Sequence, residues 1–102
     1  MTVENVYKLI SIKKSDKPAK KLMATFENKI TGRKKTTHFG AAGMSDYTIH
    51  KDSDRKQRYI NRHIVNENWE DPVTAGSLAL YILWNKPTLK ASIDDYKRRF
   101  GF

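Results

Sequence analysis

The stretch Leu78-Ala79-Leu80-Tyr81-Ile82-Leu83-Trp84 is the only long apolar run in a chain that is otherwise polar and basic. A bilayer span takes about 20 apolar residues, so this run is too short to cross a membrane as a helix. It is apolar on every side, and a helix of that kind needs partners around its whole circumference. The run therefore predicts the buried centre of a small domain, with a sheet and two helices packed against it. Pro87 disfavours helical geometry at Lys86 and closes the run at Asn85-Lys86-Pro87.

A chain of 102 residues with a 38% hydrophobic share can bury one modest core, so residues 1–102 are expected to form a single domain. Charge divides that domain. Residues 1–40 hold 10 Lys and Arg against 3 acids, whereas residues 41–102 hold 10 against 8. A basic half within a net charge of +9 points to a polyanionic partner: nucleic acid, a membrane surface or an acidic protein. The plainer alternative is a solvated surface. The absence of cysteine excludes disulfides and thiolate metal sites. Met1-Thr2-Val3-Glu4-Asn5 has neither the basic nor the apolar region of a signal peptide, so an intracellular rather than a secreted place of action is expected.

Residues 5–13 read as a strand, with Val6, Tyr7, Leu9, Ile10 and Ile12 mostly β-favouring. Ser15-Asp16-Lys17-Pro18 is a turn. Residues 20–27 alternate, with Leu22, Ala24 and Phe26 on one side and Lys21, Met23, Thr25 and Glu27 on the other, the pattern of a half-buried strand. After a turn at 28–32, residues 33–39 form a third strand. Short links make the three an antiparallel meander. Gly40-Ala41-Ala42-Gly43-Met44 lacks the Lys-Ser/Thr pair of a phosphate-cradling loop and reads as a close-packed corner leading to helices.

Asp52, Ser53 or Asp54 can cap a helix beginning near Arg55 and ending at Asn66-Glu67-Asn68. Tyr59, Ile60, His63 and Ile64 would form its inner face. A central helix runs from about Val73 to Trp84, capped by Glu70-Asp71-Pro72. Gly76 costs it about 1 kcal/mol relative to Ala, tolerable where another backbone packs closely. Leu89, Ile93, Tyr96 and Phe100 form the apolar stripe of a last helix, with Pro87 in its first turn, Lys97-Arg98-Arg99 in its last and Gly101 as its stop. The predicted fold is α+β: a three-stranded antiparallel sheet followed by three helices, a basic β-meander over 1–40 and a helical part over 41–102.

Ten cations are the candidate polyanion-binding residues: Lys13, Lys14, Lys20, Lys21, Arg33, Lys34 and Lys35 from the sheet, and Arg55, Arg58 and Arg62 as a stripe at i, i+3 and i+7 of a helix. Strand-end lysines also guard sheet edges against pairing with other chains, the commoner use of such residues. Aromatic rings interleaved with cations stack bases in single-strand binders. Tyr7, Phe26 and Phe39 lie on the basic sheet, but so small a domain needs rings for its core. Trp69 and Trp84 face the same choice between core and interface.

Catalytic patterns are weak. His38, His50 and His63 are 12 and 13 residues apart, which is no metal-ligand spacing. A nuclease site from His38, Asn61 and His63 is the one conceivable arrangement. His50-Lys51-Asp52 is contiguous where the phospholipase D motif is spaced. No serine stands in a nucleophile frame. No enzyme activity, cofactor or metal is expected, and no recognition motif for specific base readout is visible.

One further signal is a long string of residues: His38-Phe39-Gly40, Met44-Ser45-Asp46-Tyr47-Thr48, His50-Lys51-Asp52, Arg55, Tyr59, Arg62-His63, Glu67-Asn68-Trp69, Asp71-Pro72, Thr74-Ala75-Gly76, Leu83-Trp84-Asn85-Lys86-Pro87, and Ser92-Ile93 through Arg99-Phe100. It resembles an uncharacterised family of small basic proteins of large double-stranded DNA viruses that infect algae and protists. The resemblance covers residues 33–100 well and the first strands in outline. It implies a non-enzymatic virion component, a wedge or cement among viral structural proteins, located in the virion or the host-cell cytoplasm or nucleus. The alternative it leaves is a non-sequence-specific binder of DNA or RNA associated with the viral genome. It implies no catalytic residue.

Overall fold

The computed structural model describes residues 6–65 and 67–102. The readings of Met1 to Asn5, including the start of the first strand, and of Asn66 as part of a helix end lie outside the described residues. Strands β1 (Tyr7–Lys14), β2 (Lys20–Asn28) and β3 (Lys34–Ala41) form an antiparallel sheet in the order β1-β2-β3. This is the expected meander, within one or two residues at each end. The alternation in β2 decides which face is inner: Ala24 and Phe26 are fully buried and Leu22 is half-buried. Opposite them lie Leu9 and Ile12 of β1 and Phe39 of β3. The pairing of β1 slips between Leu9 and Ser11, and this bulge leaves Ile10 exposed. The extra residue lets Leu9 and Ile12 share the inner face despite their odd spacing.

Among the described residues the helical half holds four α-helices rather than the three expected. They are α1 (Tyr47–His50), α2 (Ser53–His63), α3 (Ala75–Leu78) and α4 (Leu89–Phe100). The additional one is α1, in the stretch read as a corner. Asp46 makes it a helix: its carboxylate accepts the Thr48 backbone N–H at 2.9 Å, and Lys51, at φ 55°, stops it after one turn. The predicted central helix is also altered. It starts at Ala75, because the Thr74 side chain rather than Glu70-Asp71-Pro72 supplies the cap. After Leu78 it widens into a π-helical turn, Ala79–Leu83. Wider turns are rare, and this one carries a sequence that is apolar all round, so a change of hydrogen-bond register exposes nothing polar. Pro87 stands two residues ahead of α4, not in its first turn, because Thr88 is the cap. Gly101 closes α4 with φ 73°, as expected.

The apolar run is the centre of the core. Leu78 and Ile82 are fully buried, Leu80 and Leu83 nearly so, and Ala79, Tyr81 and Trp84 are half-buried. The sheet meets this run closely at Gly40. That residue has φ 78°, and a Cβ built there would lie 2.6 Å from Leu83 Cδ1. Gly76 is close-packed too, but against the Glu67 carboxylate rather than against backbone. Tyr96 anchors α4: its ring is fully buried, and its hydroxyl donates to the Pro72 carbonyl at 2.6 Å. Of the rest of the α4 stripe, Ile93 and Phe100 are half-buried, while Leu89 lies at the exposed end.

Candidate nucleic-acid interface

The ten candidate cations do not form one surface. Lys13, Lys14, Lys20 and Lys21 sit at the β1–β2 hairpin end of the sheet, and Arg33, Lys34 and Lys35 at the β2–β3 end. Along β2, the Lys14 partner Leu22 and the Lys34 partner Glu27 are separated by about 17 Å of strand, at about 3.4 Å per residue. The third group is the outer face of α2, carrying Arg55, Arg58 and Arg62. Nine of the ten are exposed, and none of these nine is ion-paired with an acid among the described residues.

Lys21 is the exception. Its ammonium lies 2.5 Å from the buried Asp46 carboxylate, which also takes the Thr48 N–H and hydroxyl. Lys21 is therefore a strut between the sheet and α1, and it is withdrawn from the free set. The strut has a geometric result: it brings the hairpin lysines and the start of the α1–α2 segment to the same end of the molecule. The C-terminal cations are also partly committed. Buried Asp95 accepts from Arg98 at 2.8 Å, Arg99 at 3.2 Å and Asn85 at 2.6 Å. Burial alone would raise the Asp95 pKa; the three hydrogen bonds outweigh it and hold the carboxyl below its ordinary value.

The rings expected on the sheet are core. Phe26 and Phe39 are buried, and Phe26 packs against Tyr7 and Phe102. A second set gathers instead under α2. Tyr59 lies flat on Trp84, with centroids 4.3 Å apart and planes 5° apart, and His63 lies against Tyr59 at 4.2 Å, tilted by 30°. His50 tilts against Trp84 at 5.3 Å, and Tyr47 follows it. Lys56 reaches over the Tyr47 ring and donates to the Asn85 carbonyl at 2.7 Å. Burial, helped by Lys86, lowers the Lys56 pKa, while burial pushes the Tyr59 phenol up to about 12. This array attaches α2, which contains no buried residue. Ile64, read as part of the inner face, is 56% exposed beyond its end. The conspicuous Trp84-Asn85-Lys86-Pro87 segment is thus structural, since Trp84, Asn85 and the Lys86 backbone all have internal partners.

The nuclease arrangement is not assembled by these contacts. His38 bonds the Ser15 hydroxyl at 2.7 Å, whereas His63 stacks on Tyr59 beside Glu67. Asn61 bonds Gln57. Among the described residues no group of three or more His, Asp or Glu is placed to hold a metal ion. No helix among them is long and apolar enough to cross a membrane. Two features escaped the sequence reading. The Gln57-Asn61 and Tyr59-His63 pairs were visible as i, i+4 spacings. The Trp84–Tyr59 stack joins residues 25 apart and left no local signal.

Neither a curated protein nor a solved structure matches the chain. The model of a family of unknown function, DUF5754, matches residues 10–63, which run from within β1 through β2, β3, α1 and α2 and include all ten candidate cations. That match takes in the first strands more fully than the resemblance at residues 33–100 implied, and it stops short of the apolar run. More than half of the chain lies within it, and the chain belongs to this family of unknown function, DUF5754.

Proposed function

We propose that this protein is a non-enzymatic binder of nucleic acid that acts through the phosphate backbone. The reading rests on nine exposed cations, in three groups, none of which is ion-paired with an acid among the described residues. Lysines that only guard sheet edges would explain the two ends of the sheet. They do not explain the arginine stripe on α2, which is no edge. Phosphates neutralised by these groups release counterions, so affinity must fall steeply with salt. A gel shift with duplex or single-stranded nucleic acid at low ionic strength tests it. A shift that fades between 50 and 200 mM salt is expected, roughly the range over which several phosphate contacts are lost. No shift at the lowest salt would remove the reading.

The likeness to proteins of large double-stranded DNA viruses of algae and protists supports a place for such a binder beside a packaged genome. On the second reading it is a cement or minor capsid component among viral structural proteins. Exposed apolar residues at the corners of the fold, Ile30, Met44, Ile49 and Val65, favour contacts of that kind. Both readings expect the protein in purified particles in stoichiometric amounts. Only the first expects it to follow the genome when the shell is opened.

A further inference from the structure

α2 differs from the other helices in what it leaves outside. Its attached side is Lys56, Tyr59, Ile60 and His63, all half-buried. Its solvent side is Gln57, Arg58, Asn61 and Arg62, all exposed. These four stand at i, i+1, i+4 and i+5, two adjacent rows along one face. The Gln57 side-chain amide donates to the Asn61 side-chain carbonyl at 3.0 Å. That bond uses one of the two donors of Gln57 and one of the two lone pairs of the Asn61 carbonyl. The Gln57 carbonyl and the Asn61 amide N–H groups have no other partner among the described residues. Acceptors and donors of both amides are therefore left free on adjacent turns of one exposed face, held by a bond within the pair.

That pattern has a complement. In the major groove adenine offers an acceptor at N7 beside a donor at N6, whereas guanine offers two acceptors that suit arginine. A helix fits the major groove of B-form DNA, about 12 Å wide, and is excluded from the deep, narrow major groove of A-form RNA. The 11 residues of α2 rise about 16 Å, the length of some five base pairs at about 3.4 Å each. The Lys21–Asp46 strut ties the hairpin end of the sheet to the cap of α1, the helix before α2, and Arg55 and the hairpin lysines would supply contacts to flanking phosphates.

We propose that α2 is a recognition helix that lies in the major groove of duplex DNA, with Gln57 and Asn61 facing an adenine edge and Arg58 and Arg62 facing guanine edges or phosphates. The proposal rests on the nucleic-acid reading above and narrows it to B-form duplex with a base preference. The test is fluorescence anisotropy of the full chain at one salt concentration with a DNA duplex and an RNA duplex of the same sequence. It is joined to selection of bound sites from a random DNA duplex pool. The expected result is DNA bound about tenfold or more tighter than RNA, and selected sites with a base preference that includes adenine. The double variant Q57A/N61A should flatten the adenine preference while changing mean affinity less than about threefold. R58A/R62A should weaken every duplex by about tenfold or more. Equal affinity for the two duplexes, or a preference that survives Q57A/N61A, would overturn the recognition helix and leave phosphate binding standing. Binding to no nucleic acid would overturn both.

Discussion

The two halves of this molecule are held together by different means. The sheet, the apolar run and α4 share one dry core, in which Phe26, Leu78, Ile82 and Tyr96 are fully buried. The α1–α2 segment has no such core. It hangs on a ladder of rings, a lysine bonded to a backbone carbonyl, and one buried ion pair. The first arrangement resists change because close-packed interiors respond to even one methylene. The second fixes a helix in place while leaving most of its circumference wet. A small basic domain gains from that division, since the residues available to a partner are not those that hold the fold.

The largest effect is expected in the core. Phe26→Ala removes a fully buried ring and should cost about 3–5 kcal/mol in a urea titration, enough to unfold a marginal domain. Next is Gly40→Ala, where the new Cβ meets Leu83 in a left-handed backbone; a loss of about 1–3 kcal/mol is expected by thermal melting. Trp84→Ala should separate the halves. Hydrogen exchange should show α2 amides losing more protection than β2 amides, because the Tyr59 and His50 contacts vanish whereas Trp84 only borders the buried core. Equal loss in both would make α2 part of the core.

The smallest effect concerns pH. Asp95 has a lowered folded pKa, so its contribution is present above the unfolded value of about 3.9 and is lost as pH falls through the lower folded value. Asp95→Asn should lower the melting temperature at pH 7 by an amount equivalent to about 1 kcal/mol, discounted because Arg98 and Arg99 are exposed. The difference from wild type should shrink on acidification below pH 4, on the order of the unfolded carboxyl pKa.

The sheet was legible because alternation at Leu22, Ala24 and Phe26 is a local signal, and so was α4, with its stripe and its Gly101 stop. The apolar run announced its burial but not its shape, since a sequence greasy on all sides carries no period to separate an α from a π register. The α1 helix was hidden because its cause is tertiary: Asp46 can cap it while Lys21, 25 residues earlier, balances the buried charge. The same contact hid the fate of Lys21, which composition cannot distinguish from its neighbour Lys20. The arginine stripe of α2 was readable from spacing alone. Its attachment through Trp84 was not.

Lys20 and Lys21 stand side by side, one exposed and one clamped by Asp46, and only the exposed one is expected to bind phosphate. The most direct measurement is the salt dependence of DNA affinity for wild type and for a triple variant, K13A/K14A/K20A, with its unfolding midpoint recorded beside it. The log–log slope is expected to drop by up to about 2.7, at about 0.9 per phosphate contact, with the midpoint unchanged. A slope identical to wild type, or a midpoint that collapses, would contradict this expectation.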